Sequence, residues 1–169
     1  MTTPLLPPDG SALDTIPAGR YGVQVNTTPG AAAGSETWEF VNGLTSFEPT
    51  YKPKLEDDTD LTSDGWESQA VTGNAHSIAI EGLVKGETAA STFTPDPGMT
   101  FLVEASKQTG KGAHVHLRYW RTDELSDAVE AHYAVDASLK GGKPNELQKF
   151  SGTLTGRGKP KDITKPTTP

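Results

Sequence analysis

His114, His116 and His132 are the residues whose type and spacing could most directly do chemistry. His114 and His116 are two apart, so on a strand both side chains leave the same face. His132 lies at an even position on the next apolar-alternating segment. If residue 116 pairs with residue 132, three imidazoles converge, and three histidines are a ligand set for catalytic zinc. Glu130 then stands nearby as a possible base. The alternative is that all three belong to an exposed polar face shared with Arg118, Glu130 and Asp136.

Glu56, Asp57, Asp58, Asp60 and Asp64 put five acids in nine residues, which invites a calcium reading. The EF-hand pattern fails in detail. Counted from Asp58, the sixth position is Ser63 and the twelfth Gln69; counted from Asp60, Gly65 falls correctly but the twelfth is Val71. No phosphate-cradling glycine loop and no G-x-S-x-G elbow occurs anywhere in the chain. Cysteine is absent, which excludes disulfides, thiolate metal sites and a cysteine nucleophile. Trp38, Trp66 and Trp120 could form a sugar platform, although packing accounts better for Trp38 and Trp120. Trp66 stands apart in a polar, Gly-flanked segment, and aromatic residues so placed are enriched at contacts between proteins.

The elements that position these residues read mainly as strands. Tyr21–Val25 alternates, and Trp38-Glu-Phe-Val-Asn-Gly-Leu opens a second strand with Trp38 and Phe40 on one face. His76–Lys85 reads as a strand in which Gly82 marks a bulge or a close approach. His114–Arg121 and Ala128–Leu139 alternate with period two and form an antiparallel hairpin across the turn Thr122–Asp127. Lys149–Gly156 is the last strand. One helix is expected over 97–109, with Asp96 as N-cap, Pro97 in the first turn and Gly110 at the stop, although Phe101, Val103 and Ala105 also alternate as a strand would. Residues 48–71 read as a long solvated acidic loop, a length that compact domains seldom carry without a purpose.

The 169-residue length suits one domain. Hydrophobic residues make up only 33%, with 18 glycines and 13 prolines, as many turns between short strands would require. The expected fold is therefore mainly β: an antiparallel β-sandwich or half-barrel with one flanking α-helix, a long acidic loop and extended termini. Residues 1–19 form an extended arm, 20–156 the body, and 157–169 a flexible basic extension. The net charge of −7 argues against a protein that grips phosphate backbones by charge. It is unevenly spread: residues 140–169 hold seven bases and two acids, the rest eight bases and twenty acids. The first eight residues have no basic start and no long apolar run, so no signal peptide is expected. No stretch approaches the roughly 18 apolar residues of a membrane span.

The run Trp38-Glu-Phe-Val-Asn-Gly-Leu-Thr-Ser-Phe-Glu-Pro, the acidic segment closing at Asp64-Gly65-Trp66, Asp96-Pro97-Gly98, His116-Leu-Arg-Tyr-Trp and Phe150-Ser-Gly-Thr-Leu-Thr-Gly-Arg-Gly together resemble the major tail tube proteins of long-tailed (siphovirus) bacteriophages, above all those of actinobacteria. The resemblance runs in order over residues 21–161. It implies a non-enzymatic virion protein without cofactor or metal. Six copies would close a ring, their inner sheets would join into a barrel, and rings would stack into a hollow tube. It further implies assembly in the host cytoplasm around a tape-measure protein, contacts with tail terminator and tip proteins, and passage of double-stranded DNA without specific binding. The segment 48–71 would reach a neighbouring ring, which makes Tyr51, Glu56, Asp57, Asp58, Asp60, Asp64 and Trp66 the candidate interface residues. Two other classes remain open from the residues alone: a β-sandwich module binding carbohydrate or protein, and a small histidine metalloenzyme.

Overall fold

The computed structural model describes residues 15–17, 21–60, 62 and 64–167. The expected N-terminal arm, 1–19, lies outside the described residues except for 15–17. Among the described residues nine strands and one helix follow one another: β1 (Tyr21–Asn26), β2 (Trp38–Phe40), β3 (Leu44–Asp57), β4 (Gln69–Leu83), β5 (Gly86–Ala89), β6 (Thr92–Pro95), α1 (Pro97–Ser106), β7 (His114–Arg121), β8 (Ala128–Lys140) and β9 (Lys149–Asp162). A single 3-10 turn, Gly110–Ala113, leads into β7. Seven strands make one sheet in the order β2-β1-β7-β8-β9-β4-β3, every pair antiparallel, and β5–β6 is a separate hairpin.

Period-two alternation gives this sheet a continuous apolar face. Val23 and Val25 of β1 pair with Tyr119 and Leu117 of β7, which in turn lie beside Val129 and Ala131 of β8. Val135 continues into Leu154 of β9 and Ile78 of β4, and Ile80 pairs with Phe47 of β3. All of these are buried. The sheet curls so that strands far apart in its order meet across this face. Phe47 of β3 lies 5.0 Å from the Tyr21 ring of β1 and 5.1 Å from Tyr119 of β7. That closure is the half-barrel expected from the alternation, because a half-apolar sheet must cover one face.

The helix covers the rest of that face through Met99, Leu102, Val103 and Ala105. It begins as the sequence dictates: an Asp96 carboxylate oxygen accepts from the Met99 N–H at 2.9 Å, and Pro97 fills the first turn where no N–H is needed. Asn42 Nδ2 donates to the same carboxylate at 2.6 Å, tying the helix start to the end of β2. The helix stops at Ser106, three residues short of the expected 109, and Ser106 Oγ donates to the Ala137 carbonyl on β8. Gly110 sits at φ +60° and opens the 3-10 turn, so it lies past the stop. Gly82 proves to be a site of close approach: a Cβ there would meet the Phe150 ring at 2.5 Å and the Gly43 carbonyl at 2.8 Å. Among the described residues no helix is long and apolar enough to cross a membrane.

Two expectations are corrected. Residues 48–71 are not a structureless loop: β3 runs to Asp57 and β4 starts at Gln69, so only 58–68 lie between paired strands. The acids and prolines hid the strands because this part of the ribbon has no apolar core to face. Residues 157–162 are likewise not a flexible extension. They continue β9 along β8, pairing Arg157 with His132, Lys161 with Glu130 and Asp162 with Val129. A bulge between Glu130 and His132 takes up the extra residues, and Gly158 supplies its positive φ of +79°. The backbone then stays on the body through Ile163 N–H donating to the Ala128 carbonyl at 3.0 Å and Lys165 Nζ donating to the Asp123 carbonyl at 2.6 Å.

Candidate assembly interface

The outer half of the β3–β4 hairpin is the part of the fold that the monomer does not explain. From Tyr51 to Asp57, and from Gln69 to Ala75, no residue is buried. A two-stranded ribbon exposed on both faces is marginal by itself in water. The register shows what it presents. Tyr51 pairs with His76, Pro53 with Asn74, and Leu55 with Val71 after a bulge, so Tyr51, Pro53, Leu55 and Val71 continue the core-facing side of the sheet outward. Tyr51, Leu55 and Val71 are 54%, 49% and 61% exposed. The opposite face carries Lys52, Lys54 and Glu56.

The candidate interface residues divide into root and tip. Tyr51 belongs to the root: its ring stacks on His76 at 4.6 Å and its hydroxyl lies 3.5 Å from that of Tyr119. His76 is buried among Tyr51, Tyr119 and Tyr133, and burial holds its pKa below the ordinary value. Both buried phenols are pushed up, again by burial first. Glu56, Asp57, Asp58, Asp60, Asp64 and Trp66 gather at the other end. Glu56 pairs with Lys54 at 3.0 Å. Asp57 accepts from the Thr59 N–H at 2.9 Å, and hydrogen bonds from the Thr59 hydroxyl and then its N–H lower the carboxyl pKa. Asp60 accepts from the Thr62 N–H and hydroxyl at 2.8 and 2.7 Å. Asp64 at φ +51° and Gly65 at φ +83° turn the chain back. Trp66 follows, 80% exposed, the most exposed large hydrophobic side chain among the described residues. The apolar stripe Pro53, Leu55 and Val71 was not singled out from sequence, although the spacing Tyr51-x-Pro53-x-Leu55 is the period-two signal that marks it.

The histidines meet as the hairpin register requires, but not as ligands. His116 pairs with His132, and their rings stack face to face at 4.3 Å and 17°. Stacked rings direct their nitrogens in parallel rather than at a common point. His116 Nε2 is held by Glu130 Oε1 at 2.9 Å, and Trp38 packs edge-on against the same ring at 4.9 Å. His114 Nδ1 faces Arg157 at 3.1 Å, a cation where a metal would have to sit. Burial, then His116, holds the His132 pKa low. Among the described residues no group of three His, Asp or Glu side chains is placed to hold a metal ion. The tryptophans do not form a platform either. Trp120 is buried against Gly22, and Trp38 lies under the Arg118 guanidinium at 4.2 Å.

No protein-family model matches the chain, and no curated protein matches it. Solved structures do. A chain from the tail of an empty gene transfer agent particle, determined by helical refinement with C6 symmetry, superposes with a TM-score of 0.62 at 13% identity, covering 89% of this chain and 100% of that one. A chain from the virion of a native gene transfer agent particle gives 0.62 at 12% identity with the same coverage. A chain from the six-fold symmetrised baseplate of the anti-feeding prophage gives 0.52 at 10% identity, covering 86% of this chain and 95% of that one. At these identities the likeness is one of fold, and the mainly β fold with its single flanking helix is thus shared with chains from phage-like tails.

Proposed function

We propose that this chain is the structural subunit of a phage-like tail tube. The observation that carries the reading is the fold: 89% of the chain superposes on the whole of a chain from a tail refined with six-fold symmetry. The exposed outer hairpin supports it, because among the described residues nothing covers that element and a second copy would. In this reading six copies close a ring, the free edges of β2 and β3 pair between neighbours, and the rings stack into a hollow conduit. Joining edges removes the unpaired backbone groups that otherwise invite uncontrolled association. Ring closure is cyclic, whereas head-to-tail stacking stays open and gives a filament.

The finer assignments follow from the same reading. The tube belongs to the tail of a virion of the long-tailed type, assembles in the host cytoplasm on a tape-measure protein, is bounded by terminator and tip proteins, and passes double-stranded DNA without reading it. Tyr51, Glu56, Asp57, Asp58, Asp60, Asp64 and Trp66 lie at contacts between copies, Tyr51 from the hairpin root and the others from its tip. The subunit performs no catalysis. Ultracentrifugation tests the reading: concentrated protein pellets as assemblies, while a variant lacking residues 52–75 remains in the supernatant. A wild-type chain that stays monomeric when concentrated overturns it.

A further inference from the structure

The main sheet is electrically polar along its strands. At one end the segment 56–67 carries Glu56, Asp57, Asp58, Asp60, Asp64 and Glu67 without a base. At the other end Leu83 of β4 pairs with Lys149 of β9, and Lys149 pairs with Lys140 of β8. Lys143 lies just beyond these strand ends, so three lysines stand there beside Glu81 and Glu146, and Glu146 is turned back onto the Lys143 N–H; Lys85 turns to a separate cleft with Glu39, Glu87 and Asp96. The two ends are separated by the length of β4. Its 15 residues span about 45 Å at an extended rise. The acidic tip of a molecule therefore cannot reach its own basic end.

The basic end also holds a cleft of about 270 Å³. Half-buried Leu83 and the glycine Gly82 over the buried Phe150 form its apolar floor, and Lys140, Lys149 and Glu81 stand around it. An apolar floor between lysine stems and ammonium groups suits an indole, which gains from burial and from cations near its face. The acidic tip carries such an indole, Trp66, 80% exposed. Charge, shape class and position at opposite ends of one strand all match.

Resting on the tail-tube reading, we infer that Trp66 of one copy seats in the Leu83–Phe150 cleft of a second copy, with the tip acids meeting Lys140 and Lys149. The contact is head-to-tail, so it repeats without closing and sets the polarity of the stack. Salt weakens it, because its charges lie at the surface.

A charge swap tests the docking. Asp57→Lys, Asp58→Lys, Asp60→Lys and Glu67→Lys together reverse the tip, leaving Glu56 and Asp64 against four new bases, and Lys140→Glu with Lys149→Glu reverses the cleft. Each set raises the critical concentration for assembly on the order of tenfold or more, since like charges then oppose each other. The chain carrying both sets assembles again, because a basic tip now meets an acidic cleft. Either set alone polymerising like wild type overturns the docking and leaves the tube reading intact. Cross-linking gives an answer independent of how the swaps fold. The natural chain has no cysteine, so Glu67→Cys with Thr45→Cys, a residue at the rim of the cleft, forms a disulfide ladder in oxidised assemblies. Assemblies without a ladder overturn the docking. A wild-type chain that never assembles overturns the tube reading itself.

Discussion

Three side chains carry the residue-scale consequences. Trp66 is 80% exposed in the monomer. Trp66→Ala is expected to leave the melting temperature unchanged while weakening assembly by about 2 kcal/mol, the scale of an interface anchor, measured as a rise in critical concentration. Gly82→Ala has the opposite signature. A Cβ at this position runs into the Phe150 ring and a backbone carbonyl, so thermal unfolding should show a loss of about 1–3 kcal/mol. His76 gives a pH dependence. Its folded pKa lies below the ordinary value near 6.5 because it is buried. Folding therefore favours the neutral ring; its stabilisation is complete above about pH 6.5 and is lost as the pH falls through the folded value. His132 adds to the same window. Asp123, held down to about 2 by Arg121, acts only in a lower one: it is lost as the pH falls from about 4 through 2. Melting temperatures should thus fall as the pH drops below about 6.5, and His76→Gln should flatten that slope. An unaltered slope assigns the dependence elsewhere.

At the scale of elements, the sequence was most legible where one strand face is buried. The alternation in Ala128–Lys140 marked the strand, whereas the register, which depends on the turn, stayed open between alternatives two residues apart; the structure has the His116–His132 pairing. The helix was legible through its Asp96-Pro97 start. Legibility failed where burial stops. The β3–β4 ribbon beyond Tyr51 and the end of β9 beyond Gly156 are strands with no core beneath them, so Asp, Glu, Lys and Pro replace the apolar alternation. The candidate site shared this limit: Trp66 and the acids stood out by type, whereas the stripe Pro53, Leu55 and Val71 needed the register to become a face. The ribbon also makes the element-scale expectation concrete. Excising 52–75 and joining Tyr51 to His76, which are paired, through Asn-Gly should give a folded monomer with an unchanged circular dichroism melt. Loss of folding would mean that the ribbon supports the body. The β5–β6 hairpin offers a second test. It turns through Ala90 at φ +46° and Ser91 at φ +70°, two left-handed residues without glycine. Replacing them with Asn-Gly should stabilise the chain by about 1 kcal/mol in thermal unfolding.

At the scale of the whole molecule, the features left over by the monomer are of one kind. The sheet ends in free edges, the core-facing side of β3 and β4 runs past the body, and opposite charges occupy opposite ends of the strands. Among the described residues nothing satisfies them, and in the proposed tube another copy does. The histidines, by contrast, are spoken for by Glu130, Arg157 and one another. Their arrangement is that of a stacked pair and two polar contacts, not of converging ligands. In the proposed reading association is what the surface serves; the fold itself is shared with chains from phage-like tails. Negative-stain electron microscopy of the purified, concentrated protein is the most direct measurement. Hollow tubes with six-fold end views are the expected result. A field of dispersed monomers at every concentration and with every nucleating complex supplied contradicts it.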